Sequence, residues 1–397
     1  MKTPSYNNIQ SKWHSAPPRW GHKWHSMCSY MAMFPPTIPH VFIQLLTSPG
    51  DTVYDPFCGR GTTVLEACRL GRIGLGSDAN PLAWILTSAK ANPPSHSAIR
   101  LRLSQLRDIQ ALGDIESQPL VVRSVFDPNV LAQLVWLRSV LSLKSKVDRY
   151  LFAVLLGVLH ANAGSDGAPR GLTIAMPNTF SMAPRYVMNY KTAHGLVAPK
   201  RDVLSFLENR IEQLGKKPSG FCRGNAWLSD AIKTPAGLSR YDPPRLIFTS
   251  PPYLSVIKYG KFNWLRLWLL GMEPTEVDSV LFTSSSLPLY LEFMSKVIRR
   301  MEAAVADDGR ICLVIGDVKR GDINIHLAEA VAETCVAGST LRIDALIEDE
   351  LPVGQKVSRI WKDRRGHATK TDRIAILSAK RASRLPRLQK LDWLLNN

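Results

Sequence analysis

With 397 residues, 45% of them hydrophobic and 21% charged, the chain has ordinary globular composition, enough for two domains or one large domain carrying an insertion. Fifty Lys and Arg against 33 Asp and Glu leave a net charge of +17, which favours a polyanionic partner, since basic side chains facing phosphates supply most non-specific nucleic-acid affinity. The six cysteines form no CxxC pair and no Cys/His ligand spacing, which argues against a metal site or a disulfide framework.

Residues 1–33 read as an irregular arm in which Trp13, Trp20 and Trp24 alternate with Lys, Arg and His, too polar for a signal peptide. The arm has three open placements: over a ligand, against nucleic acid, or packed on the helical insertion at residues 95–220. Residues 34–94 read as the first half of an α/β domain. Phe34-Pro35-Pro36 begins a proline-punctuated stretch, His40 to Leu46 a short helix, and Val53-Tyr54 a buried strand that runs into Asp55-Pro56-Phe57-Cys58-Gly59-Arg60-Gly61. Thr63-Val64-Leu65-Glu66 fits a capping box opening a helix to about Leu70, with Gly71 just past its end. Ile73 to Ser77 is the next strand, closing on Asp78-Ala79-Asn80-Pro81. Strand, tight turn, helix, strand and acid is the grammar of a nucleotide-binding sheet.

The alternation then stops. Residues 95–220 read as a largely helical insertion with a loop-rich interval from Gly164 to Pro199. Its apolar run, Tyr150 to Leu159, falls short of the roughly 18 residues a bilayer requires and reads as a buried helix. Over 221–380 the strands return at Arg245–Phe248, Arg310–Ile315, Leu341–Ile347 and Arg373–Leu377, with helices at Leu287–Val305 and His326–Cys335. Residues 381–397 form a basic tail.

Two loops carry chemistry. Gly59 and Gly61 let the backbone approach a ligand closely, and the helix that follows aims its amides and positive dipole end at it. A carboxylate or a ribose suits such a site; a Walker A loop is excluded, because no GxxxxGK[ST] occurs. The second loop, Ser250-Pro251-Pro252-Tyr253, follows the buried strand ending at Thr249. Its two prolines remove two donors and stiffen the backbone. A hydroxyl and a fixed carbonyl are then in place to accept the hydrogens of an amino group whose lone pair is otherwise delocalised, while an aromatic ring can stack on a base. None of the cysteines follows a proline, which argues against the nucleophile that C5-cytosine chemistry requires.

The run Asp55 to Thr63 resembles motif I (DPFxGxGTT) of the amino-group DNA methyltransferases, and Phe34-Pro35-Pro36 resembles the motif that family places upstream. Thr249 to Tyr253 (TSPPY) resembles motif IV of its N4-cytosine members; adenine-N6 members more often carry Asp or Asn in place of Ser250. The resemblance covers about 20–90 and 220–380. It implies an α/β fold: a Rossmann-like methyltransferase sheet, mostly parallel with its last strand antiparallel. It also implies S-adenosyl-L-methionine as cofactor, held by Phe34, Asp55, Phe57, Cys58, Gly59, Gly61, Thr62, Thr63, Asp78 and Asn80. Asp78 would bind the ribose hydroxyls, and Phe34 would sit near the sulfonium, plain core packing being its other reading.

Ser250, Pro251, Pro252 and Tyr253 would act on a base flipped out of double-stranded DNA. The expected activity is N4-cytosine methylation, with adenine-N6 methylation as the alternative. An RNA or tRNA base methyltransferase and a non-catalytic DNA-binding protein remain further readings. One class of the family places target recognition between the two motifs, here within 95–220. Lys258, Lys261, Arg359, Lys362, Arg364, Arg365, Arg185 and Lys191 are the basic residues expected to meet DNA. The resemblance admits a separately acting cognate restriction endonuclease as a further partner, and implies a prokaryotic cytoplasmic protein without a membrane contact.

Overall fold

The computed structural model describes residues 20–31, 34–160, 162–176, 183–252, 254, 258–320, 323–350, 368–383 and 385. Strands β1 (Thr52–Asp55), β2 (Ile73–Asp78), β3 (Asn225–Leu228), β4 (Leu246–Thr249) and β5 (Arg310–Arg320) are mutually parallel. A short β6 (Ile323–Ile325) folds back on β5, and β7 (Arg342–Glu350) forms one edge. The last strand, β8 (Ala368–Ser378), lies antiparallel between β5 and β7, giving the order β3-β2-β1-β4-β5-β8-β7. This is the Rossmann-like sheet expected from the sequence. The chain builds outward from β1 in one direction and from β4 in the other, so a crevice opens at the carboxyl ends of those two strands.

Helices α1 (Thr37–Leu46), α2 (Thr62–Arg69) and α3 (Pro81–Ala91) accompany the first two strands. The insertion supplies α4 (His96–Asp108), α5 (Leu120–Val125), α6 (Pro128–Val140), α7 (Lys146–Val158), α8 (Pro184–Ala193) and α9 (Val203–Leu214). After β4 come the short α10 (Tyr259–Phe262), α11 (Trp264–Leu270) and α12 (Pro274–Val280), then α13 (Leu287–Ala304) and α14 (Leu327–Val336).

Successive strand residues point to opposite faces. Val53, Leu246, Phe248, Cys312 and Val314 therefore pack with α1, while Tyr54, Ile247, Ile311, Leu313 and Ile315 pack with α13 and α14. Both faces are covered, so the central strand β4 and the first half of β5 are buried throughout rather than alternating. The insertion shares a core with the sheet domain: Leu151 and Leu155 of α7 and Leu207 and Ile211 of α9 lie in one cluster with Val64, Leu65, Ile85 and Leu86 of α2 and α3.

Three local expectations are corrected. The helix after the glycine loop begins at Thr62, with Gly61 in a left-handed conformation before it, and no side chain caps it. Glu66 is fully buried and pairs instead with two distant side chains, His25 Nε2 at 2.6 Å and His40 Nδ1 at 2.8 Å, and with Arg69 of its own helix, whose Nη1 lies 2.8 Å from both oxygens. A buried carboxylate requires such pairing, and the single backbone amide of a capping box would leave its charge uncompensated. Second, the interval read as loop-rich contains α8, started by Pro184 at its first turn. Third, β3 went unanticipated, because it is short, lies at the sheet edge and has one buried residue.

The described part of the arm, 20–31, is packed rather than loose. Trp24 is 2% exposed, donates its indole N–H to the Gly215 carbonyl at 3.4 Å and meets the Phe221 ring edge-on. Gly157 of α7 makes the space: a Cβ there would sit 1.7 Å from the Met27 carbonyl oxygen. Buried Arg266 of α11 donates to Leu156 O at 3.1 Å, Asn263 Oδ1 at 2.8 Å and Ser29 Oγ at 2.7 Å. The arm thus joins α2, α7, α9 and α11.

Candidate active site

The crevice beyond β1 and β4 is a cleft of about 920 Å³, counting the part open to solvent. Its walls include Phe34, Phe57, Cys58, Gly59, Thr62, Asp78 and Asn80 on the glycine-loop side, and Ser250, Pro251 and Pro252 on the other. Two sequence motifs separated by nearly 200 positions therefore share one site. They are also tied together beneath it: Thr249 Oγ1 donates to Asp55 Oδ1 at 2.6 Å, and the Phe57 amide donates to the same oxygen at 3.1 Å. Asp55 is 1% exposed, and burial pushes its carboxyl up to about 7. Asp55, Gly61 and Thr63 support the cleft from below and are absent from its wall.

Asp78, at the end of β2, is bracketed by backbone donors, with the Gly59 amide 2.9 Å from Oδ2 and the Asn80 amide 2.9 Å from Oδ1. Burial nevertheless raises it to about 6, and the nearby Asp230 adds to the rise. Each oxygen retains lone-pair capacity for a ligand hydroxyl. Asn80 is differently employed. Its Oδ1 accepts the Leu82 amide as the α3 cap, and its Nδ2 donates to Tyr30 Oη at 3.1 Å, so its side chain orients Tyr30.

The glycine loop is held from behind by α3. Thr87 Oγ1 donates to Gly59 O at 3.0 Å and Lys90 Nζ to Arg60 O at 2.6 Å. Lys90 is fully buried, which pulls its ammonium down to about 7. Gly61 has φ +79°, and a Cβ there would come within 2.8 Å of Thr87 Oγ1 and 3.1 Å of its Cα, so close approach requires glycine.

On the other wall, Ser250 donates its hydroxyl hydrogen to Val314 O on β5 at 2.8 Å. With that hydrogen committed, Oγ is left with lone pairs as its remaining hydrogen-bonding capacity. Pro251 is buried and Pro252 half-buried, so the segment is rigid at the cleft edge. Tyr253 lies outside the described residues.

Several wall residues escaped sequence reasoning. Tyr30 and Met31 bring the arm into the floor, with Tyr30 stacked on Tyr259 at 6.2 Å. Asp230 follows the unanticipated β3. Phe282 and Phe293 stack face to face at 3.9 Å, with Phe57 beside Phe293 at 6.1 Å, and form an aromatic wall. For Tyr30 the usable signal was the aromatic density of the arm; Phe282 and Phe293 had none.

Of the expected basic contacts, Lys258 and Lys261 are exposed and flank the cleft residue Tyr259. Arg185 is exposed on α8, whereas Lys191 spends its ammonium on Ser124 O at 2.7 Å. Arg359, Lys362, Arg364 and Arg365 lie outside the described residues. Among the described residues no group of His, Cys, Asp and Glu is placed to hold a metal ion, and no helix is long and apolar enough to cross a membrane.

Residues 2–84, which include the glycine loop and Asp78, match the family model of the DNA methylases. Over this segment the chain is similar to the DNA methylases. An 88-residue stretch is 33% identical to the type II methyltransferase M.MvaI of Kocuria varians; it spans 21% of this chain and 19% of that protein. Among solved structures, TrmN of Thermus thermophilus overlays with a TM-score of 0.34 at 11% identity, covering 90% of this chain and 52% of that one. The rRNA methyltransferase aviRa of Streptomyces viridochromogenes gives 0.34 at 12% identity, covering 95% and 97%. Overlays this loose identify no substrate.

Proposed function

We propose that the protein transfers a methyl group from S-adenosylmethionine to the exocyclic N4 amino group of a cytosine flipped out of duplex DNA. The carrying observation is Ser250: its hydrogen is given to Val314 O, so Oγ can accept a hydrogen from an amino nucleophile at the mouth of a cleft whose opposite wall is the Asp78 loop. The donor set fits the cofactor. Asp78 offers carboxylate acceptors to two ribose hydroxyls, the glycine loop admits close approach, and Asp230 can accept from an amino group on the adenine. When bound there, the cofactor supplies an electrophilic methyl group.

The chain's own contribution is positioning and electrostatics. Ser250 Oγ and the backbone carbonyl of the Pro-Pro segment accept the two amino hydrogens and turn the nitrogen lone pair toward the methyl carbon. The cofactor, held by Asp78 and the glycine loop, would supply the methyl carbon to that nitrogen and leave as the thioether, and the alkylated nitrogen would lose its extra proton to solvent. Phe57, Phe282 and Phe293 keep water from that side of the cleft. Lys258 and Lys261 are in place for phosphates beside the extruded base.

Incubation of the protein with labelled cofactor and duplex DNA or tRNA, followed by mass spectrometry of the nucleosides, tests this reading. N4-methylcytosine in DNA is the expected product. N6-methyladenine as the only DNA product would overturn the cytosine assignment, and label confined to tRNA would overturn the DNA assignment.

A further inference from the structure

Helix α8 is built unlike the other helices of the insertion. Of Pro184 to Ala193 only Val187 is buried, and Tyr186 is 42% exposed. It is nonetheless fixed: Val187 enters the core cluster, and Lys191 Nζ anchors to Ser124 O beside α5. Tyr186 stacks on Tyr190 at 5.9 Å and Tyr190 on His194 at 4.0 Å, an aromatic ladder that stiffens one side of the helix. The spacing of Arg185, Asn189 and Thr192 puts them on a common face, and all three are exposed.

The electrostatics select the partner. From Gly167 to Arg201 the sequence holds five Lys or Arg and no Asp or Glu. Two of the five are engaged internally: Lys191 as above, and Arg201, which donates to Pro169 O at 2.7 Å. Arg185 and Lys200 remain exposed, with Arg170 also at the surface. A helix bare on its outer side, in a segment that carries basic and no acidic residues, suits a polyanion with a groove. The major groove is about 12 Å wide and admits one helix. Contacts also connect α8 with the catalytic side: α8 rests on α5, Phe126 after α5 packs on Trp268 of α11 at 5.8 Å, and α11 follows the cleft residue Tyr259.

We infer that α8 is the base-reading element, lying in the major groove beside the extruded base with Arg185 and Asn189 on base edges. Arginine pairs in bidentate fashion with guanine O6 and N7, and asparagine with adenine N6 and N7. This inference rests on the DNA-methylating reading above.

The test uses the full chain, labelled S-adenosylmethionine and genomic DNA from a bacterial host free of DNA methylases, with the modified positions mapped by sequencing. The wild type is expected to mark one sequence motif. Arg185→Lys and Asn189→Ala should each lower transfer at that motif at least tenfold and relax the base choice at one position, with affinity for S-adenosylhomocysteine unchanged. Variants that mark the same motif at wild-type rate would overturn the role of α8 while leaving the enzyme assignment intact. A wild type that leaves the genomic DNA unmarked would instead overturn the DNA reading itself.

Discussion

Asp78→Asn separates the cofactor-binding reading from a purely structural one. In the native protein both carboxylate oxygens accept a loop amide, at 2.9 Å each, and face the cleft. Asparagine keeps one acceptor and turns an NH2 toward the other amide. That costs one charge-assisted bond to the loop and one to a ligand hydroxyl, about 1.5 kcal/mol each at the low end for such bonds. The loop bond is lost in free and bound protein alike, so the ligand bond alone, about 1.5 kcal/mol, sets the effect: roughly tenfold weaker cofactor binding. Calorimetric titration with S-adenosylhomocysteine reads this directly, and kcat at saturating cofactor should stay within about threefold.

The same carboxyl sets a pH dependence. Asp78 is raised to about 6 in the free protein; below that it is protonated and loses acceptor capacity, whereas bound hydroxyls favour the ionised form. Cofactor affinity should therefore fall as pH drops through about 6 and level off above it. In Asp78→Asn that dependence should flatten. A dissociation constant within threefold of wild type, or an undiminished pH dependence in the variant, would refute the role given to Asp78.

Ser250→Ala should lower kcat about 100-fold, the usual scale for losing one transition-state hydrogen bond, while cofactor affinity measured by titration changes little. Lys90→Met should weaken cofactor binding about tenfold by leaving the Arg60 carbonyl unpaired behind the loop; Lys90→Gln, which keeps a donor, should restore it to within threefold in the same titration. Glu66→Gln should cost about 3 kcal/mol in urea unfolding, because His25, His40 and Arg69 lose a shared buried anion. Acid should loosen the same node in the native protein. Burial lowers His25 to about 4, so between about 6.5 and 4 the unfolded chain takes up the proton that the folded one refuses, and stability declines as pH falls across that window.

What was legible in the sequence was the chemistry that is local. The glycine loop, Asp78 and the Ser-Pro-Pro run each declare themselves within a few residues, because turns and strand ends impose their constraints locally. Strands β4, β5 and β8 were readable as apolar runs, since both faces are covered, and β7 was anticipated too, but β6, three residues folded back on β5, was not. What hid was non-local. Glu66 three residues after Thr63 has the spacing of a capping box, and only the fold brings His25 and His40 to it. Strand β3 has one buried residue out of four, too weak a pattern to mark it, and with it went Asp230. Phe282 and Phe293 reach the cleft through the placement of α13 against the sheet, which no spacing in their own segment encodes.

The clasp around the arm has a consequence for how the protein comes into being. Trp24 waits for Gly215, and Ser29 for Arg266, at sequence separations of 191 and 237. A nascent chain emerging at about 5–20 residues per second thus exposes a tryptophan-rich leader for many seconds before its docking surface exists. Tyr30, on the floor of the cleft, is synthesised well before Tyr259, the ring it stacks on. The nascent chain up to α3, less than a quarter of the protein, would carry the glycine loop and Asp78 without a completed pocket, because the opposite wall arrives only with Ser250, Phe282 and Phe293.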